Sequence, residues 1–419
     1  MSTLLYDITL KCNLRCKHCY NSDYFNIDND LYDNFEFVME HIRQRKVDHI
    51  HILGGEPFVS DKLWIFLDKI DESISVSINT NGTLLNNTNV RHLIGYKNIK
   101  QLTISLDGHN EASNSLIRGN NVFNNVIRNV NALRQLIDDK SLNIDLNLAF
   151  VCTPDNVMSI SKLPLLAFKE GFNNILLSFL YYEGNARGFT GFKYNYSNVL
   201  NEIVVMLNEG QLYSIPITLD LKPAFQKLLE ITSGYSIRTN ENSHSCYVNE
   251  NYFYISALNE AYPCGPSSKI ADKKFKYQDC SSWTNFKEID NEISIKVCKT
   301  CMFNNICSPC PIGIKCANTD MCEYALLELF ESIKKYKKLR LIKSMDYLIL
   351  HETNKIILVN FKNKYKKVLF ERNGISSNHI EKIYDATLGE LDRLFTSTEK
   401  FAFLFSIIKL NAMGMVQLG

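Results

Sequence analysis

Cys12, Cys16 and Cys19 form a C-x-x-x-C-x-x-C run directly after a short apolar segment, residues 4–8. Three thiolates on one loop can hold three irons of a 4Fe–4S cluster and leave the fourth iron without a protein ligand. Such clusters are normally held by four Cys thiolates, so the missing ligand implies a small molecule. A zinc site is the plain alternative. Structural zinc wants a closed tetrahedron of nitrogen and sulfur ligands. His18, wedged between two of the cysteines, is badly placed to close one, and the spacing favours the cluster.

From residue 1 to about 210 the chain alternates apolar strand-like runs with amphipathic helical stretches. Strands are expected over 4–8, 49–53, 74–79, 101–106, 144–151 and 174–179. Helices are expected between them, over 31–45, 62–70, 122–137 and 158–169. Repeated β/α units imply a parallel sheet, and six of them predict an α/β fold of the partial (β/α)6 TIM-barrel kind. In barrels the chemistry sits on loops at the C-terminal ends of the strands.

Short polar motifs fall at those ends. Gly54, Gly55, Glu56 and Pro57 follow the second strand. The glycines let backbone approach a ligand closely, and the carboxylate can accept from an ammonium group, although an ordinary strand-to-helix turn would read the same. Asn79 opens a turn with Thr80, Asn81 and Gly82. Ser105 and Asp107 alternate at the end of the fourth strand, so both can face the barrel mouth. Arg118 precedes the helix over 121–137, and Gly184 to Arg187 follow the sixth strand. Cys152 reads as a buried structural thiol.

The three-cysteine loop and the motifs behind it resemble the Radical SAM superfamily. The resemblance implies that S-adenosylmethionine (SAM) chelates the open iron of the cluster on Cys12, Cys16 and Cys19. Gly54, Gly55, Glu56 and Pro57 would bind its methionine amine, and Asn79 would lie in a polar turn against it. Ser105 and Asp107 would meet the ribose, and Arg118 the carboxylate, a geometry that suits a guanidinium. His18 stands where the family usually has an aromatic residue, and its imidazole can pack on adenine.

Nine more cysteines lie between residues 246 and 322: Cys246, Cys264, Cys280, Cys298, Cys301, Cys307, Cys310, Cys316 and Cys322. Dense thiols in loop-rich sequence mean that metal supplies folding energy. Residues 252–257, Asn259 and Tyr262 give a hairpin signal between the first two. The field resembles a SPASM domain, which carries two auxiliary 4Fe–4S clusters and would bring the total to three. By that pattern Cys246, Cys264 and Cys310 serve the first. Cys298, Cys301, Cys307 and either Cys322 or Cys316 serve the second. Cys280 and Cys316 exceed the pattern, and Asn259 stands where the family commonly has glycine, a position that Asn fills in a left-handed turn.

The domain reading is therefore a barrel over 1–210, a bridge over 211–245, a SPASM domain over 246–322 and an α+β tail over 323–419. A helix is expected over 323–340, then strands over 347–350, 355–361 and 365–370, then helices over 378–395 and 399–412. This tail faintly resembles a winged-helix module that binds leader peptides; a capping subdomain without a ligand is the alternative.

Composition closes off other classes. A net charge of +1 gives no global argument for nucleic acid or an anionic membrane. The longest apolar run, 401–408, is too short to span a bilayer. Thirteen cysteines without an export signal at the N-terminus read as metal ligands in a reducing cytoplasm.

What the resemblance implies about function is a ribosomal peptide maturase. A 5′-deoxyadenosyl radical would take hydrogen from a precursor peptide and lead to a thioether or carbon–carbon cross-link or a related oxidation. An external reductant such as flavodoxin or ferredoxin would supply the electron. The runner-up is a sulfatase-maturing enzyme, against which stand the wide gap between Cys246 and Cys264 and the long segment after Cys322. A non-catalytic iron–sulfur electron carrier has no use for the Gly54–Pro57 turn.

Overall fold

The structure is a computed structural model of the 419-residue chain. It describes residues 2–25, 35–189, 194–235, 252–269 and 276, residues 321–322, 324–325 and 328, and five short strands between 339 and 418. The chain divides into two compact units. One comprises Met1–Leu221, Ser233–Ser294 and Pro309–Thr319; the other comprises Lys222–Thr232, Ile295–Ser308 and Asp320–Gly419.

The first unit opens with β1 (Thr3–Asp7), α1 (Glu36–Gln44), β2 (His49–Leu53), α2 (Lys62–Leu67), β3 (Ser75–Thr80) and α3 (Asn87–Leu93). It continues with β4 (Ile99–Ser105), α4 (Glu111–Arg118), α5 (Val122–Asp139), β5 (Asp145–Cys152), α6 (Leu163–Glu170), β6 (Asn174–Phe179), α7 (Tyr196–Leu212) and β7 (Ile217–Leu219). Neighbours from β1 to β7 pair in parallel and in sequence order. That is the winding expected when each right-handed crossover returns beside the strand it left. The α/β class and the parallel sheet read from the sequence are both present. β7, within the segment read as a bridge over 211–245, extends this sheet.

A buried parallel sheet normally reads as unbroken apolar runs; these strands alternate instead. Leu4 and Tyr6, Ile50 and Ile52, Val76 and Ile78, Leu102 and Ile104, and Ile175 and Leu177 are buried toward the helices. The Tyr6 ring meets the Phe66 ring of α2 at 5.1 Å, which fixes that face as the helix-covered one. Fully burying a side chain such as Phe66 contributes about 2–3 kcal/mol. The opposite face is polar. His49 bonds Ser75 and Ser77 at 2.8 and 3.0 Å, and His51 bonds Asn79 at 2.8 Å. Burial keeps both imidazoles below the usual histidine range.

The hairpin predicted beyond residue 250 is β8 (Tyr252–Ile255) and β9 (Ala261–Tyr262), antiparallel, turned at Asn259 with φ +56°. Tertiary structure adds that β8 also pairs in parallel with β1, so the sheet runs β7-β6-β5-β4-β3-β2-β1-β8-β9.

Local differences have local causes. The helix expected over 158–169 is a 3-10 turn at Val157–Lys162 followed by α6, because Pro164 lacks the N–H that a continuous helix needs. The sequence reading missed α4, although Asn110 and Ser113 form a capping box at its start.

In the second unit are all but the last residue of α8 (Pro223–Ser233), and β10 (Leu339–Leu341), β11 (Tyr347–Glu352), β12 (Lys355–Asn360), β13 (Tyr365–Glu371) and β14 (Val416–Leu418). β11, β12 and β13 form the antiparallel meander expected of the tail, with β13 at one edge. The expected helix over 323–340 does not reach its end: Leu339–Leu341 is a strand paired with β14, where Leu-Arg-Leu meets Val-Gln-Leu. The helices expected over 378–395 and 399–412 lie outside the described residues. No helix among the described residues is long and apolar enough to cross a membrane.

Candidate functional site

The Cys12–Cys19 loop leaves the end of β1 and is laced to four neighbouring segments. The first is the turn after β2. Gly55 N–H donates to Thr9 O at 2.7 Å and Glu56 N–H to Lys11 O at 2.8 Å. A Cβ on Gly54 would stand 2.4 Å from Thr9 O, and one on Gly55 would stand 2.2 Å from Lys11 O. Gly54 also has φ +140°, a value that L side chains rarely adopt. The backbone that these glycines admit is thus the chain's own cysteine loop.

Glu56 and Pro57 complete that turn, and both are buried. The Glu56 carboxylate accepts from Thr80 Oγ1 at 2.7 Å, from Phe58 N–H at 3.2 Å and from Asn81 N–H at 2.7 Å. Burial pushes its carboxyl up to about 7, against the pull of those donors. Glu56 therefore ties the β2 turn to the β3 turn. From the β3 turn, Asn81 Nδ2 reaches Asn13 Oδ1 at 2.9 Å and lies 4.0 Å from Cys12 Sγ. Asn79, just before it, is held by His51 on the inner face of β3.

The third brace is the end of α4, where Ile117 O accepts from Lys17 N–H at 2.8 Å. Arg118, the last residue of α4, forms an ion pair with Asp107 at 2.6 Å and approaches Cys16 Sγ to 3.9 Å. His18 Nε2 meets the same Asp107 oxygen at 2.5 Å, and Val151 N–H donates to the other at 2.9 Å. Burial alone would raise the Asp107 carboxyl, but Arg118 and His18 outweigh it and hold it at about 2. The resemblance sends His18, Asp107 and Arg118 to three different parts of SAM; here they are tied to one another. Ser105 is half-buried at the end of β4.

The fourth brace is the segment after β6. Asn185 donates from Nδ2 to Cys16 O and from its backbone N–H to Cys19 O, both at 3.0 Å. A Cβ on Gly184 would stand 2.6 Å from Cys19 O.

Cys16 is buried, and Cys12 and Cys19 are half-buried. Burial raises all three thiols, Cys19 to about 11. A metal group would reverse this, because coordination deprotonates a thiol outright. Leu14 N–H at 3.4 Å from Cys12 Sγ is the kind of donor that supports a thiolate ligand. Among the described residues no group of three or more His, Cys, Asp or Glu side chains is placed to hold a metal ion. Three thiols on one loop, with N–H donors of Leu14, Asn81 and Arg118 beside them, are nevertheless the donor chemistry that an iron–sulfur cluster takes. Cys152 is fully buried, and burial raises its thiol well above the usual range.

Of the second cysteine field, Cys264 and Cys322 are described, and both are half-buried. Cys246, Cys280, Cys298, Cys301, Cys307, Cys310 and Cys316 lie outside the described residues.

Residues 6–147 match the profile of the Radical SAM superfamily. The mycofactocin maturase MftC of Mycolicibacterium smegmatis is 27% identical over 170 residues, which are 40% of this chain and 42% of that protein. The pre-heme d1 synthase of Dinoroseobacter shibae is 28% identical over 188 residues, 43% of this chain and 44% of that protein. The chain thus spans less than half the length of these curated relatives. Among solved structures, anSMEcpe with bound AdoMet and the Kp18Cys peptide superposes with a TM-score of 0.53 at 20% identity. That match covers 78% of this chain and 96% of the other, and it is a likeness of fold. Over residues 6–147, then, the chain is similar to the Radical SAM superfamily.

Proposed function

We propose that this chain modifies a ribosomally made peptide by radical chemistry. A 4Fe–4S cluster on Cys12, Cys16 and Cys19 would supply the electron that cleaves SAM, giving the 5′-deoxyadenosyl radical that takes hydrogen from the peptide. The protein's part is to position and to exclude water. The four-sided bracing of the cysteine loop is the observation that carries this reading. The Gly54–Pro57 turn offers backbone for the methionine amine, with Glu56 holding that turn to Asn81. Ser105 and Asn79 lie on the polar inner face at the strand ends, where a ribose would meet them. Arg118, fixed by Asp107, presents its guanidinium beside Cys16, where a chelating carboxylate would arrive.

A peptide substrate is supported by the fold likeness to anSMEcpe, whose structure holds a peptide, and by the relation to a maturase. The nine cysteines between 246 and 322 would hold two auxiliary clusters, and flavodoxin or ferredoxin would be the reductant. The test is anaerobic reconstitution and reduction, followed by assay for 5′-deoxyadenosine. Wild-type protein should form it, and the triple variant Cys12→Ala, Cys16→Ala, Cys19→Ala should not. Equal formation in both would defeat the assignment.

A further inference from the structure

One cation beside the cysteine loop has no part in the site described so far. The β8–β9 hairpin runs on through Pro263 and Cys264 into a single 3-10 turn, Gly265–Lys269. That turn is closed on itself. Cys264 N–H donates to Ser267 Oγ at 3.2 Å, Ser267 Oγ donates to Cys264 O at 2.5 Å, and Ser267 is fully buried. Because β8 lies beside β1, the turn ends against the residues that follow Cys19. Lys269 Nζ donates to Asn21 Oδ1 at 2.5 Å, and Asn21 in turn donates to Gly54 O at 3.4 Å. The same ammonium stands 4.0 Å from the centre of the Tyr24 ring and 5.5 Å from that of Tyr20.

A tether between the turn and the loop would need only a polar tip. A charge stands there instead, on a half-buried side chain. Burial lowers the ammonium from its ordinary range, while Asp7, Cys19, Asp23 and Glu183 oppose that fall, and the two ring faces attract a cation. The three carboxylates have other partners: Tyr254 donates to Asp7, and Arg187 pairs with both Asp23 and Glu183. Cys19 is the member of the four that belongs to the cysteine loop. Arg118, the cation beside Cys16, is neutralised by Asp107. Lys269 gives its hydrogen bond to a neutral amide and so is not cancelled in that way. A positive charge near a cluster favours the reduced, more negative form, and the charge around a cluster is one of the things that set its potential.

We propose that Lys269 tunes the cluster held by Cys12, Cys16 and Cys19: its ammonium, delivered by the turn that follows Cys264, raises the reduction potential of that cluster. The cluster takes one electron from its reductant, and no bond is made or broken in the step. This inference rests on the cluster reading above and adds to it a positioned charge from the second cysteine field.

The test is a potentiometric titration of full-length, anaerobically reconstituted protein with dithionite, followed by electron paramagnetic resonance. The signal that counts is the one missing from the triple variant Cys12→Ala, Cys16→Ala, Cys19→Ala. Lys269→Arg keeps the cation, and Lys269→Gln keeps a donor for Asn21 Oδ1 but removes the charge. Iron content and melting temperature report whether each variant is folded. In Lys269→Gln the reduction equilibrium should shift about tenfold toward the oxidised cluster, a midpoint about 59 mV lower for one electron. Lys269→Arg should stay near wild type. An unchanged or higher midpoint in Lys269→Gln overturns the tuning role and leaves the cluster reading standing. So does an equal shift in both variants, because lost fit and not lost charge would then be the cause. Absence of the signal from wild-type protein overturns the cluster reading and the tuning role together. Should Lys269→Gln fail to load iron, Lys269→Met takes its place under the same criteria. Failure of both to load overturns the proposal, since the lysine would then build the site instead of tuning it.

Discussion

Arg118 Nε stands 2.6 Å from Asp107 Oδ2, and the same guanidinium reaches to 3.9 Å from Cys16 Sγ. The two residues are buried, so each is the other's main compensation for lost water. Asp107→Asn would leave the arginine charge uncompensated. We expect it to lower stability by about 3–5 kcal/mol, read by denaturant unfolding of the metal-free protein. The wild-type pair also has a pH signature. The folded Asp107 carboxyl is at about 2, below its unfolded value, so its stabilisation is present above about pH 4. It is lost as pH falls from there through 2. Unfolding free energy measured across that window should fall for wild type and stay flatter for Asp107→Asn.

Glu56 has the opposite sign. Its folded carboxyl, at about 7, is raised above the unfolded value of about 4.3. Between those values the folded state binds more protons, so stability declines as pH rises from about 4.3 to 7. The difference in unfolding free energy between wild type and Glu56→Gln should carry that slope. An identical pH dependence in both proteins would mean that Glu56 is not buried as described.

Gly54→Ala places a Cβ 2.4 Å from Thr9 O at a backbone angle that alanine rarely adopts. We expect a loss of about 1–3 kcal/mol from the strained backbone and reduced iron loading, because the cysteine loop must shift. Gly119→Ala is the control for strain alone: φ is +97°, and nothing stands within 4 Å of the added Cβ. Melting temperature and iron content of the two variants should separate strain, which both share, from the clash, which only Gly54→Ala has.

Three 4Fe–4S clusters amount to about twelve irons per chain, and loss of the Cys12–Cys16–Cys19 site should leave about eight. Iron analysis of anaerobically purified wild type and triple variant makes the comparison. Zinc in place of iron, unchanged in the triple variant, would assign the cysteines between 246 and 322 a structural role.

By itself the sequence determined the alternation of strands and helices, the three-cysteine loop at the end of β1 and the hairpin turned at Asn259. These are local: side-chain period, thiol spacing and a residue that tolerates φ +56° each act within a few positions. The motifs at the strand ends were legible for the same reason, as polar breaks in apolar runs. Their partners were not. Thr80 and Glu56 are 24 positions apart, His18 and Asp107 are 89 apart, and Tyr254 and Asp7 are 247 apart. No period in the chain encodes those meetings. Parallel strands of one sheet bring their ends together, and there burial forces each charge to find a partner. Only the folded sheet decided that Gly54 and Gly55 admit the chain's own loop, that β8 lies beside β1, and that Tyr254 of β8 meets Asp7 of β1.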